Sequence, residues 1–110
     1  MFIIMNKFEV YTTEEFDKDF EKLDKSLKEQ IDTEIEQLKT NPYVGKPLGY
    51  KFFREKRVKG GHRFYFLIYD EYVVVFIVAI SDKKDQQDVI NTIKALIPFY
   101  REQIKKKLNL

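Results

Sequence analysis

Residues 51–63 carry six Lys/Arg against one acid, Glu55. If residues 52–59 form a strand, alternation puts Arg54, Lys56 and Val58 on one face and Phe53, Glu55 and Arg57 on the other. Two cations then stand in a row on one face. Gly60-Gly61 is a strong hairpin signal, and Arg63 opens the returning strand, from which it can approach that pair. Lys83 and Lys84 follow the next long apolar run, at one end of the same sheet. A concave patch of Arg54, Lys56, Arg63 and Lys83 would suit a phosphodiester, because guanidinium forks match phosphate oxygens in pairs and ammonium groups act as point charges. The same residues also fit a solvated edge strand, which lysine protects against unwanted pairing. Composition alone does not decide between the two.

Other chemistry is narrowed by what the chain lacks. Without cysteine there is no disulfide, thiolate nucleophile or Cys-rich zinc site. His62 is the only histidine, which argues against a multi-histidine metal centre, so neither a metal nor a cofactor is expected. The formal net charge is only +2, but its distribution is uneven: residues 14–39 hold ten Asp/Glu against five Lys. A domain with one acidic and one basic side can meet a polyanion with the basic one. No apolar run approaches the roughly 18 residues of a membrane span. The opening Met1–Met5 is too short for a signal peptide, and Met5 offers an alternative start. A cytoplasmic protein is expected.

The elements that must position these residues read as a single α+β domain over residues 1–110. A short strand is expected at residues 7–11. Thr12, with Glu15 three residues on, reads as a capping box. Phe16, Phe20 and Leu23, then Leu27, Ile31, Ile35 and Leu38, repeat at helical spacing. Asp24-Lys25-Ser26 between the two sets predicts an αα-hairpin. Asn41-Pro42 ends it, and residues 43–50, with Gly45, Pro47 and Gly49, read as a loop. Three strands joined by tight turns then form an antiparallel meander, its last member the apolar run of residues 73–80. A final helix is expected at residues 85–108, divided or kinked at Pro98. This order predicts helices on one face of the sheet and a partly open second face.

Phe53-Arg54-Glu55-Lys56-Arg57-Val58, then Gly60-Gly61-His62-Arg63-Phe64-Tyr65 and residues 73–81, resembles the RelE/ParE superfamily of toxins from type II toxin–antitoxin systems. That pattern is a basic strand, a glycine turn, an arginine-aromatic strand and an apolar strand with a basic exit. Ser81-Asp82-Lys83-Lys84-Asp85-Gln86-Gln87 looks like one branch of that family. The resemblance implies a RelE-like fold and a toxin held by a cognate antitoxin. It further implies a metal-independent endoribonuclease that cuts messenger RNA on the ribosome by attack of a ribose 2′-hydroxyl. Arg54, Lys56, Arg63 and Lys83 match the family's basic positions and are the expected catalytic residues. Arg57, Lys59, Lys84 and His62 are the expected RNA contacts around them. Lys56 is the expected base, since neighbouring like charges disfavour its protonated form, and Arg63 would hold the transition-state charge. Ribonuclease members usually present a tyrosine or histidine in the first turn of the last helix, where this chain has Val89 and Ile90. His62 is the alternative proton carrier. The departure keeps two other expectations open: a ParE-like inhibitor that binds a topoisomerase, and a non-catalytic member.

Overall fold

In the computed structural model, which describes residues 7–110, strand β1 (Glu9–Thr12) turns directly into helix α1 (Glu14–Glu21). The run Met1–Met5 and the choice of start lie outside the described residues. The expected helix cap is displaced by one residue. Thr12 is still in the strand, paired with Ile77, and the Thr13 hydroxyl accepts the Phe16 amide at 3.1 Å, satisfying one of the amides a helix start leaves open. The same hydroxyl donates to the Val78 carbonyl at 2.9 Å, which ties the cap to the sheet. Asp24 caps helix α2 (Lys25–Thr40) through the Leu27 amide. The helical hairpin is as expected, with Phe16, Leu27, Ile31 and Leu38 buried. Full burial of such side chains is worth about 1.5–3 kcal/mol each.

Residues 43–50 are not a loop. A single 3-10 turn, Pro42–Val44, leads into strand β2 (Lys46–Tyr50), antiparallel to β3 (Phe53–Arg57). Pro47 and Gly49 disguise the strand. Both are tolerated because β2 is the outermost strand and its register breaks between Pro47 and Tyr50. Gly45 is required by contact rather than by angle. A Cβ there would lie 2.9 Å from both the Glu55 carbonyl oxygen and the Phe66 ring.

Strands β4 (Arg63–Tyr69) and β5 (Val74–Ser81) complete the meander, with Gly60 and Gly61 at φ +71° and +77° in the intervening turn. The sheet order is β1-β5-β4-β3-β2, with β1 parallel to β5 and the other pairs antiparallel. The α+β order is the expected one with β2 added, so the sheet is mixed and five-stranded. The final helix is divided where Pro98 predicts, into α3 (Gln86–Ala95) and α4 (Ile97–Lys107).

Both faces of the sheet are covered, which corrects the expectation of an open face. Helices α1 and α2 lie over Phe64, Phe66, Ile68, Val75 and Ile77. Ile90 and Ile93 of α3 and Tyr100 and Ile104 of α4 lie over Phe53, Tyr65, Leu67 and Phe76. The cause is in β4, all seven of whose residues are buried. A strand apolar on both sides needs a layer on each. Among the described residues no helix is long and apolar enough to cross a membrane.

Candidate functional site

Strand β3 delivers cations to both layers. Lys56 stands opposite Phe64 and Arg54 opposite Phe66, on the α2 face. Arg57 stands opposite Arg63 and Glu55 opposite Tyr65, on the α3 face. The four expected catalytic residues therefore do not form one patch. Arg63 shares its face with Arg57 and Glu55, not with Arg54 and Lys56.

On the α2 face each cation has a partner within the chain. Arg54 donates from Nη1 to the carbonyls of Tyr43 at 2.9 Å and Gly45 at 2.7 Å, and from Nε to that of Lys51 at 2.9 Å. Its guanidinium also lies 5.0 Å from the centre of the Tyr43 ring. These bonds hold the segment leading into β2. The Tyr43 hydroxyl in turn donates to Asp70. Burial, then that hydrogen bond, push the Tyr43 phenol up to about 12. Lys56 Nζ sits 3.4 Å from Glu34 of α2. Its neighbour is an opposite charge rather than the like charges a lysine base needs.

The α3 face holds a cluster organised by Glu55, which is fully buried. Arg63, 4% exposed, places Nη1 at 3.3 Å from Glu55 Oε1 and Nη2 at 3.4 Å from the Gly61 carbonyl. Arg57 Nε lies 3.8 Å from the same carboxylate oxygen, with its side chain 68% exposed. Gln86 of α3 donates to both carboxylate oxygens at 3.2 Å. Beneath them the Tyr65 and Ser81 hydroxyls share a hydrogen bond of 2.7 Å, and burial raises the Tyr65 phenol. Lys83 is exposed at the exit of β5, its Cβ 3.9 Å from where a side chain on Gly61 would begin. Arg57 and Lys83 are thus exposed cations beside a buried carboxylate–guanidinium pair, and Lys84 follows in the chain, also exposed.

The other expected contacts lie elsewhere. Lys59 reaches Ser26 of α2, and its amide donates to Gln30 at 2.9 Å. His62 folds back over the turn, with Nδ1 3.4 Å from the position of a Gly60 Cβ. Among the described residues that nitrogen is buried without a hydrogen-bond partner. Ile90 is buried in the core, and the first turn of α3 presents Gln86 and Gln87 instead of a tyrosine or histidine. Glu55 is the organising residue that sequence reasoning missed. Its signal was a lone acid among six cations, on the strand face of Arg57. Among the described residues no three His, Asp or Glu side chains gather into a metal-binding group.

Residues 10–94 match the family model of the ParE toxin of type II toxin–antitoxin systems, parDE. No curated protein sequence matches the chain. Among solved structures, the isolated Escherichia coli RelE toxin superposes with a TM-score of 0.64 at 20% identity, covering 78% of this chain and 98% of that one. The toxin of the intact E. coli RelBE toxin–antitoxin complex gives 0.63 at 22% identity, covering 68% and 95%. The Mycobacterium tuberculosis RelBE2 toxin–antitoxin complex gives 0.59 at 25% identity, covering 69% and 98%. With the family model spanning most of its length and the RelE-like sheet beneath, the chain belongs to the RelE/ParE superfamily of toxins, in the ParE toxin family of type II toxin–antitoxin systems.

Proposed function

We propose that this chain is a cytoplasmic toxin restrained by a cognate antitoxin, and that it acts by binding a protein target rather than by cutting RNA. The observation that carries this reading is Arg63. Cleavage by a 2′-hydroxyl needs a base, a proton donor and a cation that reaches the phosphate. Arg63 is buried and held by Glu55. Arg54 is bound to carbonyls and Lys56 is paired with Glu34. The first turn of α3 presents Gln86, Gln87 and Val89, none of which can transfer a proton, and an exposed Asp88. The antitoxin is supported by the RelBE and RelBE2 relatives, both of them toxin–antitoxin complexes. The target implied by the ParE resemblance is a topoisomerase.

A second reading, the metal-independent endoribonuclease acting on ribosome-bound messenger RNA, is favoured by one feature. Arg57 and Lys83 stand exposed near the Gly60-Gly61 turn, where they could meet phosphates. Inducing the chain alone, and then together with the product of the adjoining gene, separates the readings. Growth arrest relieved by the partner, with plasmid supercoiling altered and no new messenger RNA ends, is the expected result. New ends confined to translated frames within minutes of induction would replace protein binding with cleavage.

A further inference from the structure

Strand β1 accompanies β5 only as far as the Thr12–Ile77 pair. There Thr13 turns the chain into α1, and its hydroxyl takes the Val78 carbonyl. The pairing of β4 with β5 shifts register at the same level, between Tyr65 and Phe66. Beyond it, residues 79–81 keep β4 on one side. Among the described residues they have no strand on the other. A groove of about 450 Å³ runs along that free flank between α1 and α3. Its floor includes Ala79, Ile80, Val89 and Leu96. Four carboxylates, Glu15 and Asp19 from α1 and Asp85 and Asp88 from α3, line the groove with no lysine or arginine among its lining residues. None of the four takes part in an ion pair among the described residues.

We propose that this groove binds an extended segment of a partner protein, added as a strand along β5, with apolar and cationic side chains. A free strand edge offers main-chain donors and acceptors in a row, and a strand laid there sends alternate side chains to opposite sides. One set turns toward α1, which brings Glu15 and Asp19, and the other toward α3, which brings Asp85 and Asp88 beside Val89 and Leu96. Lysine or arginine is matched on both sides and an acidic segment is repelled. At about 3.3 Å per residue, the free edge of residues 79–81 matches about three residues of partner chain. The inference is independent of the toxin's target, since the groove lies on the flank of β5 away from β4 and from the Arg63–Glu55 cluster.

The test uses the full chain, isotope-labelled for NMR, with two capped hexapeptides: alternating valine and lysine, and alternating valine and glutamate. The lysine peptide is expected to shift the amides of residues 78–81 and those facing the groove in α1 and α3. The glutamate peptide should leave them unmoved. The variant Asp85→Lys with Asp88→Lys should bind the lysine peptide at least tenfold more weakly at unchanged melting temperature. Equal responses to both peptides, shifts centred away from β5, or undiminished binding by the variant would overturn the proposal. The peptide comparison holds even if the variant fails to fold.

Discussion

On the α2 face of β3, Arg54 and Lys56 are tied to the chain by carbonyl oxygens and by Glu34, close to the surface, and they fasten neighbouring segments to the sheet. On the α3 face, Arg63 and Glu55 are both out of solvent, and the cations that remain available, Arg57 and Lys83, stand above them. The same residue types therefore differ in consequence by depth. A surface ion pair contributes little because water competes for both partners. A buried pair contributes little net stability as a pair, but removing one member strands the other charge in a poor solvent. Mutational cost, not charge, distinguishes the two faces.

The largest effect is expected on the α3 face. Glu55→Ala should destabilise the fold by about 3–5 kcal/mol, measured by urea unfolding, because Arg63 is left buried without its counter-ion. Arg63→Ala should cost a similar amount for the converse reason, so loss of toxicity in that single variant would report on folding as much as on chemistry. Replacing both at once, with Glu55→Leu and Arg63→Met, should recover most of the stability. A double variant no better than the singles would mean that the pair is not acting as a unit.

Arg54→Ala comes next. It releases three carbonyls, and loss of such charge-assisted bonds should cost about 2–3 kcal/mol. Arg54→Lys should restore little, since one ammonium cannot reproduce the fork. Amide exchange in residues 43–51 should rise ahead of global unfolding, and uniform exchange would contradict a tethering role.

Lys56→Ala should cost about 1–2 kcal/mol, because the Glu34 oxygen it faces is out of solvent. Under the proposed function Lys56→Arg retains growth arrest, because the Glu34 pair survives. A lysine acting as base would not tolerate arginine, so abolished arrest in a folded Lys56→Arg protein would favour the ribonuclease.

The smallest effect is a pH dependence. Tyr43 and Tyr69 are both raised from 10.0 to about 12, each chiefly by burial. The stability they contribute is complete below pH 10 and is lost as pH rises through about 12. Among the described residues the Tyr69 hydroxyl has no hydrogen-bond partner, so Tyr69→Phe should be nearly neutral at pH 7 and should flatten the alkaline loss. An unchanged alkaline limb in that variant would assign the loss elsewhere.

Periodicity made most of the fold legible. The apolar spacing of α1 and α2, the Gly60-Gly61 turn and the division at Pro98 were readable because each rests on local geometry. Strand β2 was hidden because Pro47 and Gly49 argue against a strand, and only its edge position permits them. The second covered face was hidden because alternation in β4 is masked by apolar residues on both sides. Alternation correctly separated Arg54 and Lys56 from Glu55 and Arg57. It could not say which set Arg63 would join, since that depends on the register across the turn, which pairs Arg63 with Arg57. The depth of Arg63 was illegible because it is set by α3 packing over Glu55.

The central claim is that Arg63 and Glu55 form a structural pair rather than catalytic machinery. Its most direct test is induction of the Glu55→Leu, Arg63→Met double variant in cells lacking the antitoxin, after its melting temperature has been confirmed close to that of the parent. The account predicts growth arrest equal to that of the parent chain, with no new messenger RNA ends in either. A folded double variant that no longer arrests growth, set against a parent that cuts messenger RNA, would make Arg63 a catalytic residue and contradict it.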